Sequence, residues 1–275
     1  MQDGVETFPY IMAGIALVHT GFNVTNTILF IPLLGPLAAF VTKMVPEKKE
    51  KEIRHLTYLD VRMLDTPSIG ITQSRQEVNF MGQSILRMLG YLETIIKNKT
   101  IDEVTRKKLF HREEILDNVQ KEITVFLGQL ISGSLTHDVI TEVRKQVRMA
   151  DEYESISDYI ANVLKMLIKL QRNKIEISTK GREEILALHE NVTQYLEMIT
   201  MAGEQDSVSV FMPRVISMGD EITHLMKDFR RNHLDRLEKE NLPPLKTLVF
   251  TDILNAYRRM SDHGQNVAEA LSGEK

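Results

Sequence analysis

Tyr153-Glu-Ser-Ile-Ser-Asp-Tyr-Ile-Ala-Asn-Val163 and Tyr257-Arg-Arg-Met-Ser-Asp-His-Gly-Gln-Asn-Val267 are one segment written twice. Five of the eleven positions are identical, at a constant offset of 104. Both copies lie inside long apolar periodicities of threes and fours, which is the period of a helix with one buried face. A duplicated unit of about 100 residues is large enough to bury its own apolar stripes, and two such units can pack side by side. The fold expected is therefore all-α, with two tandem antiparallel three-helix bundles.

Around the repeat, the first half supplies three stripes. Val78, Met81, Ile85, Met88, Leu92 and Ile95 mark one helix, and Ile115, Val119, Ile123, Phe126 and Leu130 a second. Val139, Val143, Val147, Ile160, Val163, Leu167 and Leu170 mark the third, after a break at Ser132 to Thr136. The second half follows the same scheme. Ile185, Leu188, Val192, Tyr195 and Ile199 come first, then Ile216, Ile222, Leu225, Phe229 and Leu234, then Leu248 to Leu271 beyond Pro243 and Pro244. No segment alternates at period two, so strands are not expected. The halves are placed at 73–173 and 174–275, behind a linker over 46–72 that contains Pro46 and Pro67.

The N-terminal portion has a different chemistry. The first 42 residues contain no Lys or Arg, and all 34 follow. Residues 8–45 read FPYIMAGIALVHTGFNVTNTILFIPLLGPLAAFVTKMV, with apolar stretches at Tyr10–Val18 and Ile28–Val41 around a polar centre. As one straight helix this would be about 57 Å long, against a hydrocarbon core of about 30 Å. A segment broken at His19 to Thr27, or a short re-entrant pair, is expected to span or enter the membrane over residues 1–45, with His19, Asn23, Thr25 and Asn26 lining a protected polar place. A signal peptide fits poorly, because the basic n-region and the small-residue cleavage pattern are missing. Lys43, Lys48, Lys49, Lys51 and Arg54 follow the second stretch and none precede it, which puts residues after about 45 in the cytoplasm.

Several function classes are excluded or unsupported. The chain has no Cys, so disulfides, thiolate zinc sites and thiol nucleophiles are ruled out. A net charge of -4 without a basic run gives no footprint for nucleic acid. No P-loop, strand-following GxGxxG, GxSxG or HExxH occurs, so enzymatic function has no positive support. Glu52-x-x-His55 and Glu221-x-x-His224 have di-iron spacing, but the Glu52 pair lies in the basic stretch, outside the bundle pattern.

The acidic pairs carry the remaining chemistry. Glu113 and Asp117, and Glu154 and Asp158, are each four apart, on one helix face. Two such helices side by side could offer four carboxylates to a hard divalent or ferric ion, although a solvated face is the ordinary meaning of any one pair. In the second half Arg258 stands where Glu154 does, Asp262 is retained and His263 lies beside it. The spacing predicts an Arg258–Asp262 ion pair in place of a second metal position.

These residues carry a resemblance. His19-Thr-Gly-Phe-Asn-Val-Thr-Asn-Thr-Ile-Leu-Phe-Ile-Pro32 resembles the end of the membrane part of bacterial sodium/phosphate cotransporter family proteins. Tyr58-Leu-Asp-Val-Arg-Met-Leu-Asp-Thr-Pro-Ser-Ile69 is similar to the linker leading in that family to a PhoU-like domain. Glu154-Ser-Ile-Ser-Asp158 and Arg258-Arg-Met-Ser-Asp262-His263 resemble the E-R-I-x-D-H motif that ends each PhoU half. The resemblance implies the C-terminal part of a sodium-dependent phosphate transporter in the cell inner membrane, with a cytoplasmic PhoU-like domain regulating transport. It also implies metal binding at Glu113, Asp117, Glu154 and Asp158, and sodium as the ion of the intact transporter. The implied partners are the lipid bilayer, the remainder of a transporter membrane domain, inorganic phosphate through the intact transporter, and another copy of the chain in a homo-oligomer.

The motif is not intact. Ser155 replaces its Arg, Arg258 replaces its Glu, and Thr223 stands near where the family has Asp. The Gln-Ser-Ser repeats that would bind sodium and phosphate are missing from these 275 residues. Transport by this chain alone is therefore not expected. A stand-alone PhoU-like metal-binding adaptor in phosphate homeostasis, or a membrane-anchored helical scaffold without a ligand, are the competing expectations.

Overall fold

The computed structural model describes residues 11–36, 59, 66–98, 100–131, 136–202, 208–240 and 243–273. The chain divides into two units, 1–53 and 54–275. In the first, α1 runs over Ile11–Phe30 and continues into a 3-10 turn at Ile31–Leu33.

The break expected at His19 to Thr27 does not occur, since α1 passes through it without interruption. The polar side chains bond inside the helix rather than competing with it. Asn23 Nδ2 lies 3.2 Å from His19 Nδ1, and Thr27 Oγ1 donates to the Asn23 carbonyl at 2.8 Å, each a link of four residues along one face. The α-helical pattern gives way instead at Ile31–Leu33, around Pro32, which has no N–H to donate. Gly14–Pro36 is long and apolar enough to cross a membrane, about 34 Å at 1.5 Å per residue. None of that span is buried, and Phe22, Ile28 and Leu29 are all exposed.

Among the described residues the second unit holds six helices: α2 (Pro67–Asn98), α3 (Glu103–Ile131), α4 (His137–Arg172), α5 (Thr179–Ala202), α6 (Val208–Glu240) and α7 (Pro244–Ser272). The first three pack on one another and the last three do likewise. The halves join through α4 against α7, the most extensive helix pairing in the unit, and through α2 against α5. Gly82 sits at this junction, where a Cβ would come within 2.9 Å of Thr200 and 3.2 Å of Tyr153. The last helix stops at Gly273, whose φ of 74° is the left-handed cap that glycine adopts without strain.

The stripes of α2 and α5 are core throughout; Met81, Met88, Leu92, Ile185, Leu188 and Ile199 are wholly buried. The α6 stripe differs from expectation. Ile216 and Leu234 are about half exposed, at 50% and 48%, while Met212, Val215, Ile222 and Met226 take the core side. The C-terminal part of this helix faces a polar interior: Arg236 donates to both oxygens of buried Glu184 at 2.9 and 2.6 Å, and Asn232 adds a bond at 3.1 Å. His233 stacks on Phe250 at 4.3 Å beside this pair.

Candidate functional site on the seam between the halves

Every repeat residue lies on α4 or α7, so the seam between these helices is where the duplication can do chemistry. They run antiparallel: Arg148 reaches Glu269 at 3.8 Å, Glu152 reaches Asn266 at 3.1 Å, and the rings of Tyr159 and His263 lie 5.6 Å apart. As the number rises on one helix it falls on the other. Glu152 also accepts from His263 Nδ1 at 2.6 Å, and the ring nitrogen must be the donor when the carboxylate is ionised.

The acidic residues gather beside this seam. Glu113 of α3, Asp158 of α4 and His263 of α7 line one depression of about 480 Å³. Burial pushes the Glu113 carboxyl above the usual carboxylate range; Lys165 opposes this at 3.8 Å, while Asp158, Asp117 and Glu114 add to it. Burial likewise raises Glu154, and its neighbours Asp158, Asp117 and Asp151 raise it further. The four motif carboxylates therefore feel one another across two helices. They form a shelf rather than a cage: among the described residues no three His, Asp or Glu side chains converge as metal ligands. Asp117 is held by Lys121 at 2.7 Å, and the Nδ1 of His263 by Glu152.

On the second half the expected Arg258–Asp262 pair is not formed. Arg259 takes Asp262 at 3.6 Å, and Arg258 lines a groove of about 660 Å³ along the seam. Both arginines lie within one turn of Asp262, so spacing could not choose between them. The di-iron alternative is not assembled: Glu221 and His224 are exposed on α6, where His224 Nδ1 meets the Asp220 carbonyl at 2.7 Å, and Glu52 and His55 fall outside the described residues. His19, Asn23 and Asn26 share a face of α1, with Asn26 half-buried and the other two exposed.

A crystal structure of the phosphate transport system regulatory protein PhoU from Streptococcus pneumoniae superposes with a TM-score of 0.63, covering 75% of this chain and 95% of that one, at 14% identity. The helical unit has the PhoU fold. No protein-family model matches the chain. In sequence it is 21% identical over 239 residues, 83% of its length, to YjbB of Salmonella typhimurium, which carries a provisional description as an inorganic phosphate export protein. YjbB of Escherichia coli K12 is 20% identical over 238 residues. A PhoU homologue of Thermotoga maritima, described as a phosphate-specific transport system accessory protein, is 20% identical over 176 residues, covering 63% of this chain and 74% of that protein. The chain spans 42% of the length of the YjbB relatives.

Within this PhoU-like unit, sequence reasoning missed Glu152, Arg148 and Lys165. Each acts across the seam or between helices, to His263, Glu269 and Glu113 respectively, over 52 to 121 residues of chain. No local spacing encodes such pairings. The one available signal was the identity of Asn162 and Asn266, which marks the face of the repeat that meets its partner helix.

Proposed function

We propose that the chain is the C-terminal part of a sodium-dependent inorganic phosphate transporter of the cell inner membrane, and that its PhoU-like unit, in the cytoplasm, regulates phosphate movement. The observation that carries this is the joining, in one chain, of an apolar helix of span length, none of that span buried, to a PhoU fold. Relatives named for inorganic phosphate export match over most of the chain, which supports it further. In lipid, the polar stripe of His19, Asn23 and Asn26 would turn toward the remainder of the transporter membrane domain, because polar groups at membrane depth face protein or a water-filled cavity. Sodium and phosphate would be handled by that remainder.

The shelf of Glu113, Asp117, Glu154 and Asp158 belongs to the same proposal as a place where a hydrated divalent or ferric cation is attracted. Its carboxylates are hard donors, and burial together with the neighbouring acids raises the proton affinity of Glu113 and Glu154. Metal analysis of the purified chain tests this part: Glu154→Gln with Asp158→Asn should release the metal, and unchanged content would remove the shelf from the proposal.

Two measurements test the whole. After carbonate washing and ultracentrifugation the chain should stay with the membrane pellet, and release into the supernatant would defeat the membrane assignment. In cells, deleting residues 73–275 should change phosphate flux at least twofold, and unchanged flux would defeat the regulatory one.

A further inference from the structure

Two copies of one sequence packed antiparallel generate a local two-fold relation, and with it two equivalent grooves, one on each flank of the α4–α7 seam. The offset of 104, carried along two uninterrupted helices, puts Arg148, Glu152, Glu154 and Ser155 in register with Asp252, Ala256, Arg258 and Arg259. It likewise matches Glu269 with Lys165. On one flank Glu152 bridges His263 and Asn266 while Arg148 approaches Glu269, so charges meet charges. On the other flank Ala256 stands where Glu152 would, no carboxylate among the described residues bonds across the seam, and the groove of about 660 Å³ stays open.

The lining of the open groove is cationic. Lys165, Lys169, Arg258 and Arg259 border it, with the amides of Asn162 and Asn255, against the single carboxylate Asp252. Arg259 and Lys165 have distant partners, Asp262 at 3.6 Å and Glu113 at 3.8 Å. Arg258 and Lys169 form no ion pair among the described residues, and both are exposed. Arg230 adds a further cation at the edge by donating to Asn255 at 2.5 Å. Exchanging Glu154 for Arg258, Ser155 for Arg259 and Glu269 for Lys165 inverts the charge of one flank relative to the other.

We propose that this groove binds an anion carrying two or more phosphoryl groups. Four cations and two donor amides suit a multiply charged oxyanion, and the planar forks of Arg258 and Arg259 match phosphoryl oxygens. Lys165 and Lys169 lie one turn apart, about 6 Å along α4. A single orthophosphate cannot span that length and reach the arginines opposite, whereas a chain of phosphoryl groups can. A monocarboxylate would leave most of the charge unmatched. The proposal needs neither the membrane topology nor the phosphate-transport assignment.

The test is calorimetric titration of the full chain in detergent with orthophosphate, pyrophosphate, ATP and sulfate. Pyrophosphate and ATP should each bind at least tenfold tighter than orthophosphate or sulfate. An advantage of ATP over pyrophosphate would identify a nucleotide as the source of the phosphoryl groups, and parity would identify a condensed phosphate. Arg258→Glu, which installs the residue of the opposite flank, should cost at least tenfold in affinity, and Lys169→Gln at least threefold. Both side chains are exposed, so melting temperature without ligand should not move. Pyrophosphate binding no tighter than orthophosphate, or undiminished affinity in both variants, overturns the proposal.

Discussion

In the second half of the helical unit Glu184 is buried, clasped by both terminal nitrogens of Arg236, while in the first half the motif carboxylates Glu113, Glu154 and Asp158 stay at the rim with solvent beside them. The two halves share a helical plan and differ in where they keep charge. An interior charge is tolerated only with its partner in place, since desolvation of the survivor is severe. A rim charge is screened, and its neighbours merely shift its proton affinity. One duplicated scaffold thus carries a half specialised for polar packing and a half that presents negative charge.

The sharpest way to break this contrast is to remove one partner in each half. Arg236→Met leaves Glu184 buried and unpaired, and should cost about 3–5 kcal/mol in urea denaturation. Adding Glu184→Leu to it should recover most of that loss. Lys165→Met, which removes the rim partner of Glu113, should cost under about 1 kcal/mol. Equal losses from the two single variants would dissolve the comparison.

Acid should act on the halves with opposite sign. His189 lies buried in the second half, with Nδ1 2.8 Å from the Tyr257 hydroxyl, and burial, aided by Lys97, pulls its pKa down to about 4. In the unfolded chain it takes a proton as pH falls through 6.5, and in the fold only near 4. Stability present above pH 6.5 is therefore lost on the way down, by about 3 kcal/mol at 1.36 kcal/mol per pH unit. The raised pKa values of Glu113 and Glu154 work the other way, because the fold protonates them more readily than the unfolded chain, so acidification favours the native state. Melting temperature followed from pH 7 to pH 4 should fall in the native chain and fall less in His189→Gln. Parallel curves for the two would remove His189 as the cause.

The junction between the halves offers a smaller effect. Gly82→Ala pushes a methyl to within 2.9 Å of Thr200 and 3.2 Å of Tyr153, and should cost about 1–3 kcal/mol through overpacking. Smallest of all, Glu154→Gln should stabilise the chain at pH 7 by about a few tenths of a kcal/mol, since it relieves repulsion among screened carboxylates. A loss of stability there would mean that Glu154 has a favourable partner and that the shelf is not repulsive.

Much of this was legible in the residues. The helix succession, with one helix ending at Ile131 and the last starting at Pro244, follows from periodicity, because a helix buries one face and 3.6 residues per turn writes that face into the chain, and the duplication at 104 follows from the repeated residues; most of the break read at Ser132 to Thr136 lies outside the described residues. The N-terminal apolar segment was visible from its charge step. The interruption assigned to His19 through Thr27 was wrong in place, since polar residues four apart satisfy one another inside a helix. Ile216 and Leu234 were assigned to the core by type, yet α6 turns them outward, because packing chooses among adjacent stripes that composition leaves equivalent.

The all-helical fold, its duplication and the segregation of an apolar N-terminal segment are written along the chain, since each rests on local periodicity, on repeated residues or on a composition step. Packing settles that Arg259 rather than Arg258 takes Asp262, that Glu152 closes one flank of the seam, and that the equivalent flank at Ala256 stays open and positively charged. The first is a choice between neighbours three and four residues away, which spacing leaves open; the other two depend on which side chains an antiparallel pairing brings together across about a hundred residues, and no spacing within a helix specifies that.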